Sequence, residues 1–306
     1  MIQKYRSNGK LLLTGEYLVL DGALALALPT KPGQSLEVLP AEGKMTGWTA
    51  LDKNGKPWLD FKFSLDQNSF QKENETSSNE AETTLLKILT AAHQMNQKVF
   101  GSGLNYIVTT MLEFEKEWGL GSSSTLVNNI ASWFQIDPYI LLEKTFGGSG
   151  YDIAAAQAEQ AVTYQLQDKG RSVLNIDFDP PFPDKLFFVY LNQKQNSRSS
   201  IAHYRKQSRK DLQEAVDKVS GLTSSFTSCE DFQEFELLME IHETVISRVI
   251  DIPKIKTTHF SDFKGSIKSL GGWGGDFILA TGDDEAKNYF RKKGFRVVIP
   301  YSEMIL

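Results

Sequence analysis

The chain has little cysteine and no long apolar run, and each scarcity excludes a class of protein. Among 306 residues there is one cysteine, Cys229. A disulfide framework and a zinc site built on several cysteines of one chain are therefore excluded. No stretch approaches the roughly 20 apolar residues of a membrane-spanning helix. Gly15 and Glu16 interrupt the apolar N-terminal run, and no signal-peptide cleavage site follows. We therefore expect a reducing, cytoplasmic location.

The chain also has fewer basic than acidic residues. The sequence has 33 lysines and arginines against 38 aspartates and glutamates, which gives a formal net charge of -5. Nucleic-acid-binding domains usually carry a basic face, so this balance argues against a nucleic-acid partner. A hydrophobic content of 41% and a charged content of 23% are ordinary for a soluble globular protein. We expect partners that are small molecules, with no nucleic acid and no membrane.

Strand and helix patterns alternate in both halves of the chain, which predicts an α+β protein. Residues 46–63 read as a hairpin with Asn54 and Gly55 in its turn. The segment DPPFPD contains three prolines and interrupts any regular element, so we place a domain boundary there. The predicted domains are residues 1–183 and 184–306. Helical patterns lie near 123–134, 138–145, 200–221 and 230–250.

The segment GLGSSS, Gly119–Ser124, lies directly before an apolar helical pattern, and we call it the glycine–serine loop. It lacks the lysine of a Walker A loop and the third glycine of G-x-G-x-x-G. Its glycines would still let the backbone approach an anion, and the first-turn N–H groups of the next helix would point at it. A serine-capped helix after a glycine turn is the structural alternative.

Two further glycine-rich segments flank candidate residues. GGSGYDIAAA puts Asp152 in the first turn of a helix. There its carboxylate would either interact favourably with the helix dipole or accept a proton from a substrate hydroxyl. GGWGGD, Gly271–Asp276, surrounds Trp273 with four glycines, which exceeds what a turn needs. We call it the glycine–tryptophan loop.

Charged residues at two strand ends complete the candidates. Lys10 begins an apolar strand in SNGKLLLTGEYLVLDG, and Glu16 follows a glycine in the same segment. Lys194 and Arg198 open a basic run at a strand-to-helix entry. That run is either a solvated helix face or a contact for an anionic substrate.

Four of these segments, taken in chain order, resemble the motifs of the GHMP small-molecule kinases. The family is named for galactokinase, homoserine kinase, mevalonate kinase and phosphomevalonate kinase. GKLLLTGEYLVLDG looks like the first motif, GLGSSS the phosphate loop, GSGYDIAAA the segment of the catalytic aspartate, and GGWGGDF the third motif. The resemblance spans most of the chain. The forms GEYLVLDG and GSGYDIA favour the phosphomevalonate and mevalonate kinase branch.

The chain also departs from the family pattern. The second motif lacks its leading proline, and the first reads SNGK in place of A-P-G-K. Trp273 stands in the third motif where the family has a small residue, which would reshape the substrate end of the site. Glu143 is the only acidic residue in 138–151, and its spacing to Asp152 is short for the family's magnesium glutamate.

The resemblance implies an α+β, two-domain GHMP kinase fold with the active site in the cleft between the domains, and ATP and Mg²⁺ as cofactors. Asp152 and Lys10 would be catalytic, and Ser123 and Glu143 would bind the metal. The nucleotide would lie on Gly119, Leu120, Gly121, Ser122, Ser123 and Ser124. The substrate would lie on Glu16, Lys194, Arg198, Gly272, Gly274 and Gly275, with Glu16 alternatively supporting Lys10.

The expected reaction is transfer of the γ-phosphoryl group of MgATP to phosphomevalonate or mevalonate. A sugar kinase and a diphosphomevalonate decarboxylase-like enzyme are alternatives within the superfamily. A catalytically silent nucleotide-binding regulator is the alternative from another class. We expect a monomer or a homodimer.

Overall fold

A computed structural model of the protein describes residues 1–73, 79–195, 197–208 and 210–306. Within those residues, twelve strands and ten α-helices alternate along the chain, as the sequence predicts. The strands are β1 (Gln3–Thr14), β2 (Ala25–Ala41), β3 (Thr46–Leu51), β4 (Pro57–Asp66), β5 (Ser69–Lys72), β6 (Asn105–Leu112), β7 (Val162–Gln167), β8 (Gly170–Asn175), β9 (Leu186–Tyr190), β10 (Ile267–Ser269), β11 (Phe277–Thr281) and β12 (Val298–Pro300). The helices are α1 (Glu80–Met95), α2 (Ser122–Phe134), α3 (Pro138–Thr145), α4 (Tyr151–Gln157), α5 (Ser197–Arg205), α6 (Leu212–Thr227), α7 (Phe232–Ile250), α8 (Ile255–His259), α9 (Asp284–Lys292) and α10 (Tyr301–Met304).

The predicted hairpin at residues 46–63 is formed by β3 and β4, which pair antiparallel from Thr46 opposite Phe63. Its turn contains Gly55 with a φ of 75°. The Asp52 carboxylate accepts the backbone N–H groups of Asn54 and Lys56, each at 2.9 Å. An aspartate that bonds to its own turn and a glycine with positive φ explain why the chain reverses here.

The helical pattern predicted near 200–221 is two helices, so that prediction is wrong in detail. Helix α5 ends at Arg205 and α6 begins at Leu212. After Tyr204 the backbone tightens, because the N–H groups of Lys206 and Gln207 bond three residues back. Tyr204 is buried and its hydroxyl bonds to the Asp21 carboxylate, which fixes the end of α5.

The residues form two compact units. The first consists of residues 1–9, 32–116 and 121–157. Its strands follow the order β5-β4-β3-β6-β2, where residues 34–41 of β2 pair antiparallel with β6. Strands β3 and β6 run parallel, and helix α1 lies in the long connection that a parallel pair requires. Helices α1 to α3 cover one face of these strands over a core that includes Trp48, Phe63, Ile88, Trp133 and Phe134.

The second unit consists of residues 10–31, 117–120 and 158–306. The hairpin β7–β8 pairs with residues 25–27 of β2, and a separate antiparallel sheet has the order β10-β11-β9-β12. One apolar cluster of this unit includes Phe187, Val189, Phe260, Ile278 and Phe290. A second cluster includes Leu18, Tyr204, Val219, Ile246 and Trp273.

Each of the two compact units consists of several separate stretches of the chain, whereas the predicted domains are divided at one point, between residues 183 and 184. Residues 158–183 belong with the C-terminal residues because β7 pairs with the beginning of β2 in the second unit. A division into domains 1–183 and 184–306 therefore stays a prediction. In the described part of the chain, no helix combines the length and the apolar character needed to cross a bilayer.

Candidate functional site

The glycine–serine loop passes through two left-handed glycines into helix α2. Gly119 and Gly121 have φ of 68° and 88°, a region that favours glycine. Gly121 is the N-cap residue of the 13-residue helix and has no side chain to accept the first-turn N–H groups. Those N–H groups, with the positive end of the helix dipole behind them, form an arrangement that suits an anion.

The three serines of this loop differ in exposure. Ser122 is half-buried and Ser123 is exposed. Ser124 is buried, and its hydroxyl donates to the carbonyl oxygen of Gly121 at 2.8 Å. Ser123 is thus the serine whose hydroxyl faces solvent beside the helix start, whereas Ser124 stabilises the turn itself.

A buried polar network that the sequence did not indicate anchors helix α2 inside the first unit. Ser7 donates to the Asn129 side chain at 2.7 Å, and the Asn128 amide donates to Ser7 at 2.9 Å. Gln157, at the end of α4, donates to Asn128 at 2.9 Å. Ser7, Asn128 and Asn129 are buried, so their hydrogen bonds are costly to break. Gln157 is exposed, and its bond to Asn128 links the end of α4 to α2.

Asp152 lies in the first turn of α4, as predicted from its position after a glycine turn, and it is half-buried. Gly147, Gly148 and Gly150, which precede it, have φ of 69°, 105° and 91°. The carboxylate is therefore attached to a backbone turn that few other residues can adopt, on a helix tied to α2 through Gln157. Its catalytic role stays a prediction.

Two residues are predicted to hold magnesium, Ser123 and Glu143. Glu143 is exposed on α3. In residues 1–73, 79–195, 197–208 and 210–306, no group of three or more His, Cys, Asp or Glu side chains is placed to hold a metal. Mg²⁺ often takes phosphate oxygens together with one or two protein ligands, and the exposed hydroxyl of Ser123 fits that arrangement. The role of Glu143 stays a prediction.

Within the second unit, Lys10 contacts the beginning of the glycine–serine loop. Its ammonium Nζ donates to the carbonyl oxygen of Gly119 at 3.2 Å, and its backbone N–H donates to that of Leu120 at 3.0 Å. Lys10 lies inside β1, which begins at Gln3, so the prediction that it begins a strand is wrong. Its half-buried side chain lies against the loop. The predicted catalytic role of Lys10 is consistent with this position and stays a prediction.

Asp276, which was not predicted as a site residue, lies against the same loop. A Cβ built on Gly119 would come within 2.6 Å of the Asp276 Cγ. Its Oδ1 accepts the backbone N–H of Gln195 at 3.1 Å, and the side chain is 8% exposed. Burial raises the pKa of Asp276, while the Gln195 N–H and the charges of Lys10 and Lys194 oppose that rise. Any residue larger than glycine at position 119 would collide with this carboxylate.

The glycine–tryptophan loop is covered by a side chain of the protein itself. A Cβ on Gly272 would lie 2.3 Å from Cβ of Gln195, and one on Gly275 would lie 2.5 Å from Cγ of Gln195. Gly272 and Gly275 are buried and Gly274 is half-buried. Gln195 thus lies on the Cβ side of Gly272 and Gly275, and the N–H of Gly275 bonds to the carbonyl oxygen of Gly272 at 3.2 Å. The substrate contact of Gly272, Gly274 and Gly275 stays a prediction.

Trp273 belongs to the core of the second unit rather than to a substrate surface. It is 5% exposed and packs in the cluster with Leu18, Tyr204 and Ile246. Its indole N–H donates to the carbonyl oxygen of Pro253 at 3.1 Å. The expectation that this bulky residue reshapes the substrate end is corrected, since the side chain points into the interior.

Glu16 is buried in an ionic cluster, and this position favours a structural role over the predicted substrate contact. It is 2% exposed and forms a salt bridge with Lys268, which is fully buried. The Nε2 atom of His242 lies 3.4 Å from Oε2 of Glu16 and accepts the backbone N–H of Gly15 at 3.2 Å. Glu243 lies 4.0 Å from the Lys268 ammonium.

Burial controls the protonation of this ionic cluster. It raises the pKa of Glu16, although the ammonium of Lys268 opposes the rise. Burial raises the pKa of Glu243 to about 8, and it lowers the pKa of His242 well below its usual range. Two carboxylates and one ammonium share this buried cluster, and the raised pKa of Glu243 favours its protonated form near neutral pH.

Lys194 and Arg198 are the two basic residues that are predicted to bind an anionic substrate. Lys194 is exposed and lies close enough to Asp276 for its charge to lower the pKa of that carboxyl. Arg198 belongs to the first turn of α5 by its backbone, but its side chain lies outside the described residues. The substrate-binding roles of both stay predictions.

No family model and no curated protein sequence matches the chain. Solved structures do resemble it over nearly the whole length. A Streptococcus pneumoniae phosphomevalonate kinase in complex with phosphomevalonate and AMPPNP has a TM-score of 0.71 at 17% identity, with 97% of this chain and 99% of that chain covered. An L. major mevalonate kinase in complex with R-mevalonate has a TM-score of 0.66 at 15% identity, covering 97% and 94%. A Legionella pneumophila mevalonate diphosphate decarboxylase has a TM-score of 0.61 at 12% identity, covering 98% and 100%.

The chain therefore has the fold of the GHMP small-molecule kinases, and the fold class predicted from the four motifs is confirmed. TM-scores of 0.61 to 0.71 over nearly the whole chain establish the fold, whereas identities of 12% to 17% leave the reaction open. Proteins of the same fold include kinases and a decarboxylase, so the activity has to be argued from the side chains of this chain.

Proposed function

We propose that the protein is an ATP-dependent phosphotransferase that moves the γ-phosphoryl group of MgATP to a small-molecule acceptor. The observation that carries this proposal is the glycine–serine loop, whose two left-handed glycines open a 13-residue helix with an uncapped first turn. Lys10 adds a positive charge at the first of these glycines. This combination of backbone donors, helix dipole and lysine suits a polyphosphate better than a neutral ligand.

The phosphates would lie on the backbone of Gly119, Gly121 and the first turn of α2. Ser123, exposed at that turn, would contribute its hydroxyl to Mg²⁺ together with phosphate oxygens. Mg²⁺ supplies charge neutralisation at the transferring group when it is bound. Lys10 would neutralise part of the remaining charge, since its ammonium already lies at the loop.

Asp152 would orient the acceptor hydroxyl and accept its proton. The carboxylate is half-buried in the first turn of α4, whose last residue, Gln157, bonds to Asn128 of α2 in the same unit. Phosphoryl transfer depends mainly on positioning and charge neutralisation, and in this proposal Asp152 contributes the positioning of the acceptor.

The acceptor we favour is phosphomevalonate or mevalonate. The motif forms GEYLVLDG and GSGYDIA support this choice, and so do the structural neighbours described as phosphomevalonate kinase and mevalonate kinase. Exposed Lys194 suits an anionic acceptor more than a neutral sugar. A sugar kinase, a decarboxylase acting on diphosphomevalonate and a silent nucleotide-binding regulator are the alternatives that the test separates.

The test is release of ADP and of CO₂ from MgATP with mevalonate, phosphomevalonate, diphosphomevalonate, homoserine and hexoses offered one at a time. We expect ADP release without CO₂ with phosphomevalonate or mevalonate. Release of CO₂ from diphosphomevalonate would identify the decarboxylase instead. MgATP binding without turnover of any acceptor would identify the regulator.

Asp152→Asn, with Asp137→Asn as its matched control, tests the chemistry. Asp137 caps α3 by accepting two backbone N–H groups, so the same substitution at another helix start probes the structural contribution alone. Asp152→Asn should lower kcat by at least about a hundredfold while MgATP still binds, because general-base and positioning effects each reach about 10²–10⁴-fold. Near-normal turnover of Asp152→Asn on the true acceptor would remove Asp152 from the mechanism.

A further inference from the structure

The glycines of the glycine–tryptophan loop are of two kinds. Gly271 and Gly274 have φ of 71° and 84°, so their backbone conformation itself favours glycine. Gly272 and Gly275 have no positive φ, yet a Cβ at either would approach Gln195 atoms to 2.3 Å and 2.5 Å. These two positions need glycine because the Gln195 side chain lies on their backbone.

Three hydrogen bonds to Asp276 fix the segment that carries Gln195. Leu191 N–H donates to the Asp276 carbonyl oxygen at 2.8 Å, and Asp276 N–H donates to the Gln193 carbonyl oxygen at 2.7 Å. Gln195 N–H then donates to Oδ1 of Asp276 at 3.1 Å. The backbone of residues 191–195 is thereby tied to the loop, and the Gln195 side chain is held above Gly272 and Gly275.

This arrangement lies beside the proposed phosphate site. The Asp276 carboxyl group that bonds to Gln195 is also the group that packs on Gly119, and the charges of Lys10 and Lys194 reach it. Gln195 is therefore next to the Asp276 carboxyl group on the side of the glycine–tryptophan loop, as Gly119 is on the side of the glycine–serine loop. A neutral amide there adds hydrogen-bonding capacity without adding a second negative charge next to Asp276.

We infer that Gln195 is a specificity-determining residue, whose amide binds the anionic group of a phosphorylated or carboxylated acceptor in company with Lys194. This inference rests on the proposed function, in which the acceptor lies next to the phosphates. It assigns the contact with the acceptor to the side chain that lies over Gly272 and Gly275.

The first test compares Gln195→Glu with Gln193→Glu. Each substitution adds one negative charge, and the two positions are only two residues apart. Gln193 serves as the control because its side chain is exposed. With phosphomevalonate as the probe, Gln195→Glu should raise its KM and its Kd by about tenfold or more, the size of a lost hydrogen bond to a charged group. The KM for ATP should stay within about twofold, and Gln193→Glu should resemble the wild type.

The second test is a double-mutant cycle that needs no catalysis. Gly272→Ala should lower Tm because the new Cβ meets Cβ of Gln195, and Gln195→Gly should remove that penalty. A Gly272→Ala penalty that persists unchanged in the Gln195→Gly protein would show that Gln195 does not occupy this space, and would overturn the inference.

The outcomes separate the inference from the proposed function. Wild-type protein that binds phosphomevalonate but does not phosphorylate it would refute the kinase proposal, and a selective loss of that binding in Gln195→Glu would still support the inference. Equal effects of Gln195→Glu and Gln193→Glu on an active enzyme would overturn the inference alone. Failure of the wild type to bind either phosphomevalonate or mevalonate would overturn the inference in this form.

Discussion

Both glycine-rich loops of this protein contain left-handed glycines, but only the glycine–tryptophan loop also has glycines of ordinary conformation that lie under a side chain. In the glycine–serine loop, Gly119 and Gly121 have left-handed backbone conformations that open helix α2. In the glycine–tryptophan loop, Gly272 and Gly275 have ordinary conformations and lie under Gln195. A high glycine content alone therefore does not show whether a position needs glycine for its backbone conformation or for the close approach of another side chain.

The tryptophans of the two loop regions differ in their burial. Trp273 is 5% exposed and packs in the interior, whereas Trp118, just before the glycine–serine loop, is half-buried with its ring edge-on to Phe277 at 5.5 Å. The glycine–tryptophan loop is thus anchored through the core of the second unit. The predictions below test this contrast, from the largest expected effect to the smallest.

Trp273→Ala should destabilise the protein by about 3–5 kcal/mol, the usual cost of removing a large buried aromatic side chain. Trp118→Ala is the matched control and should cost less, since that side chain is only half-buried. Urea unfolding of both variants measures the difference. If Trp273→Ala leaves stability unchanged and alters acceptor kinetics instead, Trp273 lines the ligand site and the contrast between the loops fails.

Glu243→Gln tests the ionic cluster behind β10, the strand that leads into the glycine–tryptophan loop. The folded pKa of Glu243, about 8, lies above its ordinary value of 4.5, so the native state holds a proton that the unfolded chain releases in this window. Wild-type stability should therefore fall as pH rises from about 5 to 8, by at most about 1.4 kcal/mol per pH unit from this group.

The glutamine variant mimics the protonated carboxyl group and lacks this loss, so its stability relative to the wild type should increase with pH. Glu16, Lys268 and His242 face Glu243 and remain in both proteins. The lowered pKa of His242 acts in the opposite direction, because stability is lost as pH falls below the ordinary histidine value. Urea titrations at pH 5, 6, 7 and 8 measure the difference, and parallel curves would show that Glu243 stays ionised in the folded protein.

Gly121→Ala, with Gly47→Ala as control, tests the conformational requirement of the glycine–serine loop. A non-glycine residue at the left-handed φ of Gly121 should cost about 1–2 kcal/mol and weaken MgATP binding by distorting the helix start. Gly47 has no positive φ and nothing within 4 Å of an added Cβ, so its substitution should be neutral or slightly stabilising. Calorimetry that shows unchanged MgATP affinity in folded Gly121→Ala would contradict the phosphate site.

Two serine substitutions in the same loop should have opposite profiles. Ser124→Ala removes the hydrogen bond to the Gly121 carbonyl oxygen and should cost about 0.5–1.5 kcal/mol of stability. Ser123→Ala should change stability by less than about 0.5 kcal/mol, since Ser123 is exposed, and should raise the Mg²⁺ concentration needed for activity. An unchanged Mg²⁺ requirement in Ser123→Ala would remove this serine from the metal site.

The sequence by itself determined the fold class and the order of the candidate segments. Local signals suffice for this, because turn chemistry and apolar periodicity act over a few residues. Asn54 and Gly55 predicted the β3–β4 hairpin, and the glycines and serines at 119–124 predicted the helix start that α2 has. The division of residues 200–221 into two helices was missed, because the hydroxyl of buried Tyr204 bonds to Asp21, 183 positions earlier.

Only the tertiary structure decided which side chains meet. Asp276 packs on Gly119, Gln195 covers Gly272, and Glu16 pairs with Lys268 across a separation of 252 residues. No local pattern encodes such contacts, because they depend on where strands far apart in the chain are brought by burial of their apolar faces. Gly272 and Gly275 were predicted to contact a ligand. In the structure, the side chain of Gln195 lies where a side chain at either position would be.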